Sequence, residues 1–123
     1  MSTPLSVSRT VDIALLTSGT AFLMEDLDRF NPDGYFSLQG VIDPTTPGTG
    51  EIDVTYACSN DGTHFVTPTG ATKIFSAFKA TSGPLGDGQD IVAFAPVPCR
   101  YLKIIFTEKG VGPVKAQFML LIS

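Results

Sequence analysis

The only histidine of the chain, His64, is the first candidate for acid–base chemistry, because the ordinary pKa of a histidine lies near neutrality. A general base needs a nucleophile within hydrogen-bonding reach, and the neighbouring residues Thr63, Phe65 and Thr67 offer no activated partner in the sequence. If Phe65 faces inward, strand alternation directs His64 outward. We therefore interpret His64 as an exposed strand residue and predict that the protein is not an enzyme.

A second candidate site is the acidic segment 25–34, which holds four acids and an asparagine. Carboxylate and amide oxygens suit a hard cation such as calcium, and Asp26, Asp28 and Asp33 are the candidate ligands. The spacing does not match an EF-hand, because Gly34 falls too late in the loop when counted from Asp26. We favour a solvated acidic turn, with structural calcium as the less favoured alternative, and we expect no other cofactor.

The two cysteines, Cys58 and Cys99, stand far apart and outside any CxxC pair, and with one histidine they make a poor zinc set. Residues 1–6 lack the basic and apolar regions of a secretory signal. We therefore expect synthesis in a reducing cytoplasm, where the cysteines are small buried hydrophobes and a disulfide is the less favoured alternative.

A glycine-rich segment at residues 81–89 has neither the G-x-G-x-x-G nor the G-x-x-x-x-G-K-[ST] pattern, which argues against nucleotide binding. Leu85 lies at its centre and is a candidate anchor for a protein partner.

The elements that carry these residues are short. Nine segments of strand-like composition are separated by glycine, proline and polar clusters, and no segment is convincingly helical. This spacing predicts an all-β fold, an antiparallel, jelly-roll-like β-sandwich of eight or nine short strands. We expect one domain over residues 1–123, with residues 1–9 as a flexible N-terminal segment. The predicted strands are 10–17, 20–24, 35–42, 51–58, 63–67, 72–79, 90–95, 101–107 and 114–122, the first two forming a hairpin or a bent pair.

The clearest alternation lies in residues 51–58, where apolar and polar residues follow each other at every position. The next four residues, 59–62, read Ser-Asn-Asp-Gly and tolerate positive φ, so they predict a hairpin turn into residues 63–67.

The last predicted strand is apolar on both faces in its second half, where Met119 and Leu121 stand on the side opposite the core. These two residues either lie under a loop or contact another subunit. We therefore treat Met119 and Leu121 as candidate interface residues of a homo-oligomer.

Charge is uneven along the chain. Residues 1–61 hold nine acids and two bases, whereas residues 62–123 hold three acids and six bases. We favour interleaving of complementary strands from the two halves, with polar self-association as the alternative.

The net charge of −4 and the absence of a basic run argue against nucleic-acid binding. No apolar run reaches the ~20 residues of a membrane span.

Two motifs together resemble the discoidin-type jelly roll of glycan- and surface-binding modules. The first is the strand–turn motif S-x-D-G-x-x-aromatic, and the second is the late R-Y-L-K-I strand. The resemblance implies a turn at the Asp-Gly pair, an aromatic residue that seals the sandwich edge, and in some members a structural cation in an early loop. The residues that carry it are Ser59, Asp61, Gly62, Phe65, Arg100 and Tyr101.

The S-x-D-G-x-x-F motif also recurs in small jelly-roll proteins that resemble phage virion components. The chain looks more like this group, because it departs from the discoidin pattern in being short, in lacking tryptophan and in having no cysteine pair near its ends. That resemblance implies a non-catalytic virion structural protein, a capsid-decorating or fibre-associated module that binds other virion proteins and assembles in the host bacterial cytoplasm. The alternative is a carbohydrate-binding module, although a sugar platform would then depend on tyrosine or phenylalanine.

Overall fold

The computed structural model describes residues 7–16, 20–27, 36–43, 49–108 and 112–122, and the elements in these ranges are all strands. The prediction of an all-β antiparallel sandwich is confirmed. The eight strands are β1 (Val7–Leu16), β2 (Thr20–Asp26), β3 (Phe36–Ile42), β4 (Ile52–Ser59), β5 (Phe75–Phe78), β6 (Gln89–Phe94), β7 (Tyr101–Glu108) and β8 (Val114–Ile122).

The strands form two four-stranded sheets, sheet A with the order β1-β8-β3-β6 and sheet B with the order β2-β7-β4-β5. Every neighbouring pair is antiparallel. The first strand pairs with the last, the second with the seventh, the third with the sixth and the fourth with the fifth. This nesting is that of one long hairpin rolled into two sheets, the jelly-roll arrangement.

The core lies between the two sheets and follows from the alternation of the strands. Strand β7 alternates half-buried and buried residues along its whole length, and β8 buries every second residue. Four rings from both sheets form its aromatic centre: Phe75 and Phe78 from β5, Phe106 from β7 and Phe118 from β8. Gly40 of β3 lies beneath these rings, where no side chain would fit without displacing Phe78 and Phe118.

The acidic and basic halves of the chain interleave as expected. In each sheet, strands from the first half alternate with strands from the second half. Four lysine or arginine ion pairs in the described ranges each join an acid of the first half to a base of the second. They are Lys73–Asp53 at 2.8 Å, Lys79–Glu51 at 3.8 Å, Arg100–Asp26 at 3.8 Å and Lys115–Asp43 at 3.4 Å.

The N-terminal prediction needs correction. Strand β1 begins at Val7, which pairs with Ile122 of β8, so residues 7–9 belong to sheet A and not to a flexible segment. Residues 1–6 lie outside the described part of the chain. The first two strands do not form a hairpin either, because β1 lies in sheet A and β2 in sheet B. The partner of each is a strand from the C-terminal half.

The predicted strand 63–67 is wrong as an extended strand, because only a single bridge joins Cys58 to Val66. The physical reason is that the Asp61 carboxylate accepts hydrogen bonds from the backbone N–H groups of Thr63 and His64, at 2.8 and 2.9 Å. Those groups are bound within the turn and are not available to pair with β4.

The predicted strand 72–79 is likewise shorter than expected, since β5 comprises four residues. Its pairing with β4 is irregular, and Ala77 within it has a φ of +50°. The Asp53 carboxylate accepts the N–H of Ala77 at 2.8 Å and thereby holds this irregular backbone in place.

Candidate functional site

The turn after β4 is organised around Asp61. Besides the two backbone N–H groups already named, Asp61 accepts the hydroxyl of Ser59 at 2.8 Å, and its second carboxylate oxygen lies 2.8 Å from Nδ1 of His64. The Ser59 hydroxyl oxygen in turn accepts the N–H of Gly62 at 2.9 Å. The hydrogen bonds that Asp61 accepts, first from the backbone N–H of His64 and then from its ring, from Thr63 and from Ser59, hold the pKa of the Asp61 carboxyl well below its ordinary value, because they favour the charged form.

This arrangement contains serine, aspartate and histidine, but their order does not activate a nucleophile. In a nucleophilic relay the imidazole stands between the hydroxyl and the carboxylate, so that it can take the hydroxyl proton. Here the carboxylate of Asp61 stands in the middle and binds Ser59 on one oxygen and His64 on the other. The motif therefore builds a hydrogen-bonded turn. His64 is 82% exposed, as predicted, but it lies in this turn and not in a strand.

A cleft of about 380 Å³ opens beside this turn, at the end of the sandwich where β4 stops and the β6–β7 connection crosses between the sheets. Cys58 is buried and Cys99 is half-buried, and both are free thiols. Burial, followed by a hydrogen bond to Cys99, raises the pKa of Cys58 to about 12, so its thiol stays protonated at neutral pH. The lining residues are Cys58, Ser59, Asn60, Asp61, His64, Val66, Pro68, Val97, Pro98 and Cys99.

The two sequence motifs of the resemblance meet at this cleft. The N–H of Arg100 donates to the Asn60 side-chain oxygen at 3.1 Å, which ties the start of β7 to the turn. Gly62 has a φ of +78°, and a Cβ at this position would lie 3.1 Å from the Tyr101 ring. The guanidinium of Arg100 lies 5.2 Å from the centre of that ring. Sequence reasoning found these residues but not Asn60, whose role depends on a contact across 40 positions.

The outer face of sheet B holds a cluster that the sequence did not reveal. The ammonium of Lys103 lies 4.3 Å from the ring centre of Phe65 and 5.0 Å from that of Phe22. Lys103 stands between the buried residues Leu102 and Ile104, so it points away from the core. Phe65 therefore lies with it on the outer face of sheet B, and the expectation that Phe65 faces inward is wrong.

The predicted interface residues Met119 and Leu121 lie on the outer face of sheet A. Met119 is half-buried, whereas Leu121 is 41% exposed. Gln39 of β3 pairs with Met119 on one side and with Ile91 of β6 on the other, and Ile91 is 63% exposed. Met119, Leu121 and Ile91 are large apolar residues on this face, with the polar Gln39 between Met119 and Ile91, and we refer to the three below as the sheet A strip. Ile91 was missed because β6 carries apolar residues on both faces.

Leu85, the other interface candidate, is 84% exposed and lies in the connection between β5 and β6. Its loop leads into Gln89, which pairs with Val41, and Val41 pairs on its other side with Gln117. Leu121 lies four residues beyond Gln117, about 13 Å further along β8. The structure thus places Leu85 at the opposite end of sheet A from Leu121 and does not bring them into one site.

The calcium candidates are not assembled in the described residues. Asp26 lies 3.8 Å from Nε of Arg100, and Asp28 and Asp33 lie outside the described part of the chain. Within the described ranges, no group of three or more histidine, cysteine or acidic residues is placed to hold a metal ion. No helix in those ranges is long and apolar enough to cross a membrane.

A comparison of the chain with models of protein families and with curated proteins found no match.

Proposed function

We propose that this protein is a non-catalytic structural component of a phage particle, a capsid-decorating or fibre-associated module that acts through protein–protein assembly. The observation that carries the proposal is the sheet A strip, in which Leu121 and Ile91 are exposed apolar side chains on the outer face of a jelly-roll sandwich. The S-x-D-G-x-x-F motif, which recurs in small jelly-roll proteins that resemble phage virion components, supports the particle as the site of action.

The strip suits contact with another sheet face. Met119 and Leu121 stand on the same side of β8, with Ile91 two strands away, so the three extend across sheet A. Gln39 and Ser37 of β3 lie between these residues. Their short or unbranched side chains leave room for a second sheet at the usual spacing of about 10 Å. We propose a second copy of this chain as the first occupant, since a shared face closes with two-fold symmetry.

The test is the solution mass by light scattering at rising protein concentration, for the wild type, for Leu121→Lys and for Met24→Lys. The matched control, Met24, is 55% exposed on the outer face of sheet B and receives the same charge. We expect the wild type and the control to form a closed oligomer. Leu121→Lys should weaken it about tenfold or more, because the interface would bury an unpaired ammonium.

A wild type that stays at 13.0 kDa at every concentration would contradict self-association through the sheet A strip. If the oligomer persisted in Leu121→Lys and dissociated in Met24→Lys, the interface would lie on the outer face of sheet B and not on the sheet A strip.

A carbohydrate-binding module is the second candidate, and the cleft beside the Asp61 turn favours it. Its volume lies within the range of small-molecule sites, and its rim carries the side chains of Asn60, Asp61 and His64. The ring of Tyr101, next to the turn, has Arg100 over it, which limits stacking on a sugar. Amide chemical shifts followed during titration with a panel of monosaccharides test this candidate. Saturable shifts confined to the cleft would support it, and unchanged spectra at millimolar sugar would refute it.

A further inference from the structure

The two cysteines of the chain meet in the cleft although 40 residues separate them in the sequence. Cys58 is the second-last residue of β4 and belongs to the buried core. Cys99 lies in the β6–β7 connection, two residues before β7 begins, and packs against the same core. Both residues line the cleft, so the cleft gives small molecules in solution access to the pair.

The backbone on each side of the pair is fixed. Cys58 exchanges two backbone hydrogen bonds with Val66, each of 2.9 Å. The residue after it, Ser59, pairs with Tyr101, and the residue after Cys99 donates its N–H to Asn60 at 3.1 Å. Each cysteine therefore directly precedes an anchored position, and the neighbouring Cys99 thiol is, after burial, one cause of the raised pKa of Cys58.

We propose that Cys58 and Cys99 are a redox-active dithiol, which a low-molecular-weight disulfide such as oxidised glutathione converts reversibly into an intramolecular disulfide across the cleft. The pair is independent of the sheet A strip, since the cleft lies at the end of the sandwich and the strip on the outer face of sheet A. The inference therefore stands whether or not the proposed function holds.

The exchange takes two steps. The sulfur of Cys99, the more exposed cysteine, attacks one sulfur of oxidised glutathione as a thiolate. A mixed disulfide forms, and one glutathione leaves as its thiolate. The Cys58 thiol, which its raised pKa keeps protonated at neutral pH, gives up its proton to solvent as its sulfur attacks the Cys99 sulfur, so this is the slower step; the second glutathione leaves as its thiolate. Two protein thiols are oxidised, one disulfide of glutathione is reduced to two thiols, and a reductant runs the same steps backwards.

The bond would close a loop of 40 residues and tie the β6–β7 connection to the end of β4. A cross-link over a loop of this length restricts the unfolded chain, and on that account the Tm should rise by on the order of 10 °C. Its sulfur atoms would also fill part of the cleft, so a redox change would alter the ligand-accessible surface beside the Asp61 turn.

In the experiment, the folded wild-type chain is incubated in glutathione buffers of graded redox potential. The remaining thiols are then alkylated, and the intact mass is measured. Peptide mapping follows. We expect the unalkylated form, two hydrogens lighter, to appear at oxidising potentials, to carry a Cys58–Cys99 cross-link, to melt higher and to return to the dithiol on reduction. The matched variants Cys58→Ser and Cys99→Ser should show neither the cross-link nor the redox-dependent Tm.

Three results would overturn the proposal. The first is alkylation of both thiols at every potential. The second is arrest at a mixed disulfide with glutathione, which would show that the Cys58 sulfur cannot reach Cys99. The third is a disulfide that links two chains, recognised by doubled mass on non-reducing gels. All three are measured on the wild type, so they hold even if a serine variant fails to fold.

Discussion

Gly40→Ala is the substitution whose effect follows most directly from the packing of this sandwich. Gly40 lies in the middle of β3 and faces the core. A Cβ built there would lie 2.8 Å from Cε1 of Phe118 and 2.9 Å from Cε2 of Phe78. Carbon atoms in proteins pack at about 3.5–4.0 Å, so the rings would have to move by roughly 0.6 Å or more.

Both rings are confined, which gives the magnitude. Phe118 is completely buried and its ring centre lies 4.7 Å from that of Phe106 and 5.9 Å from that of Phe78. Overpacking a tight core costs about 1–3 kcal/mol, and the restriction of the unfolded chain by alanine returns about 0.4–1 kcal/mol. We therefore expect Gly40→Ala to lower the free energy of unfolding by about 1–2 kcal/mol.

The assay is urea unfolding followed by far-UV circular dichroism and tyrosine fluorescence, since the chain has three tyrosines and no tryptophan. A double-mutant cycle with Phe118→Leu isolates the clash, because leucine lacks the ring atom nearest the new Cβ. The loss caused by Gly40→Ala should be smaller in the Phe118→Leu background, with a coupling of about 1 kcal/mol.

Two outcomes would refute this reasoning. If Gly40→Ala raised the stability of the wild type, the gain from chain restriction would outweigh the packing cost and the rings would be free to move. If the two substitutions were additive, the cost would come from the ring of Phe78 or from the β3 backbone and not from the ring of Phe118.

The remaining predictions concern the turns. The pKa of Asp61 is lower in the folded chain than its unfolded value, so its stabilisation is present above about pH 4 and is lost as the pH falls below it. In Asp61→Asn the Tm should accordingly fall less than in the wild type as the pH is lowered below about 4. An equal fall in both proteins would show that other carboxylates cause the loss of stability in acid. Ala77→Gly should be neutral or stabilise by up to ~1 kcal/mol because φ is +50°, while Ala93→Gly should cost ~0.5–1 kcal/mol; equal losses in urea unfolding would argue against a strained Ala77. Gly83→Ala should destabilise more than Gly70→Ala, since both have positive φ but only at Gly83 would the added Cβ collide with a backbone oxygen, that of Gln89; similar Tm values would contradict the clash.

The fold class could be predicted because the evidence for it is local. In β4 and β7 alternate residues enter the core, and a period of two in the sequence is the direct consequence of strand geometry. The turn after β4 was predicted for a similar reason, since Asp61 bonds to groups within three residues of itself. The same local bonds explain the error downstream, because they bind the N–H groups that the predicted strand 63–67 would have used.

The candidate sites depended on positions far apart in the sequence and were predicted only in part. Met119 and Leu121 could be identified from the apolar second face of β8, whereas Ile91 joins them through β3, which lies between the two strands. The meeting of Cys58 with Cys99 also has no local signal, since neither cysteine has a chemical partner nearby in the chain.

The sequence by itself determined the regular alternating strands with their inward faces, such as β4 and β7, and the polar turn at Asp61, because each of these depends on residues a few positions apart. Only the tertiary structure decided the strand order, the position of Cys99 beside Cys58 in the lining of the cleft, and the place of Phe65 on the outer face of sheet B. The physical reason is that β-sheet pairing joins backbone groups without regard to their separation in the sequence. Many strand orders satisfy the same alternation, and the packing of the complete core selects among them.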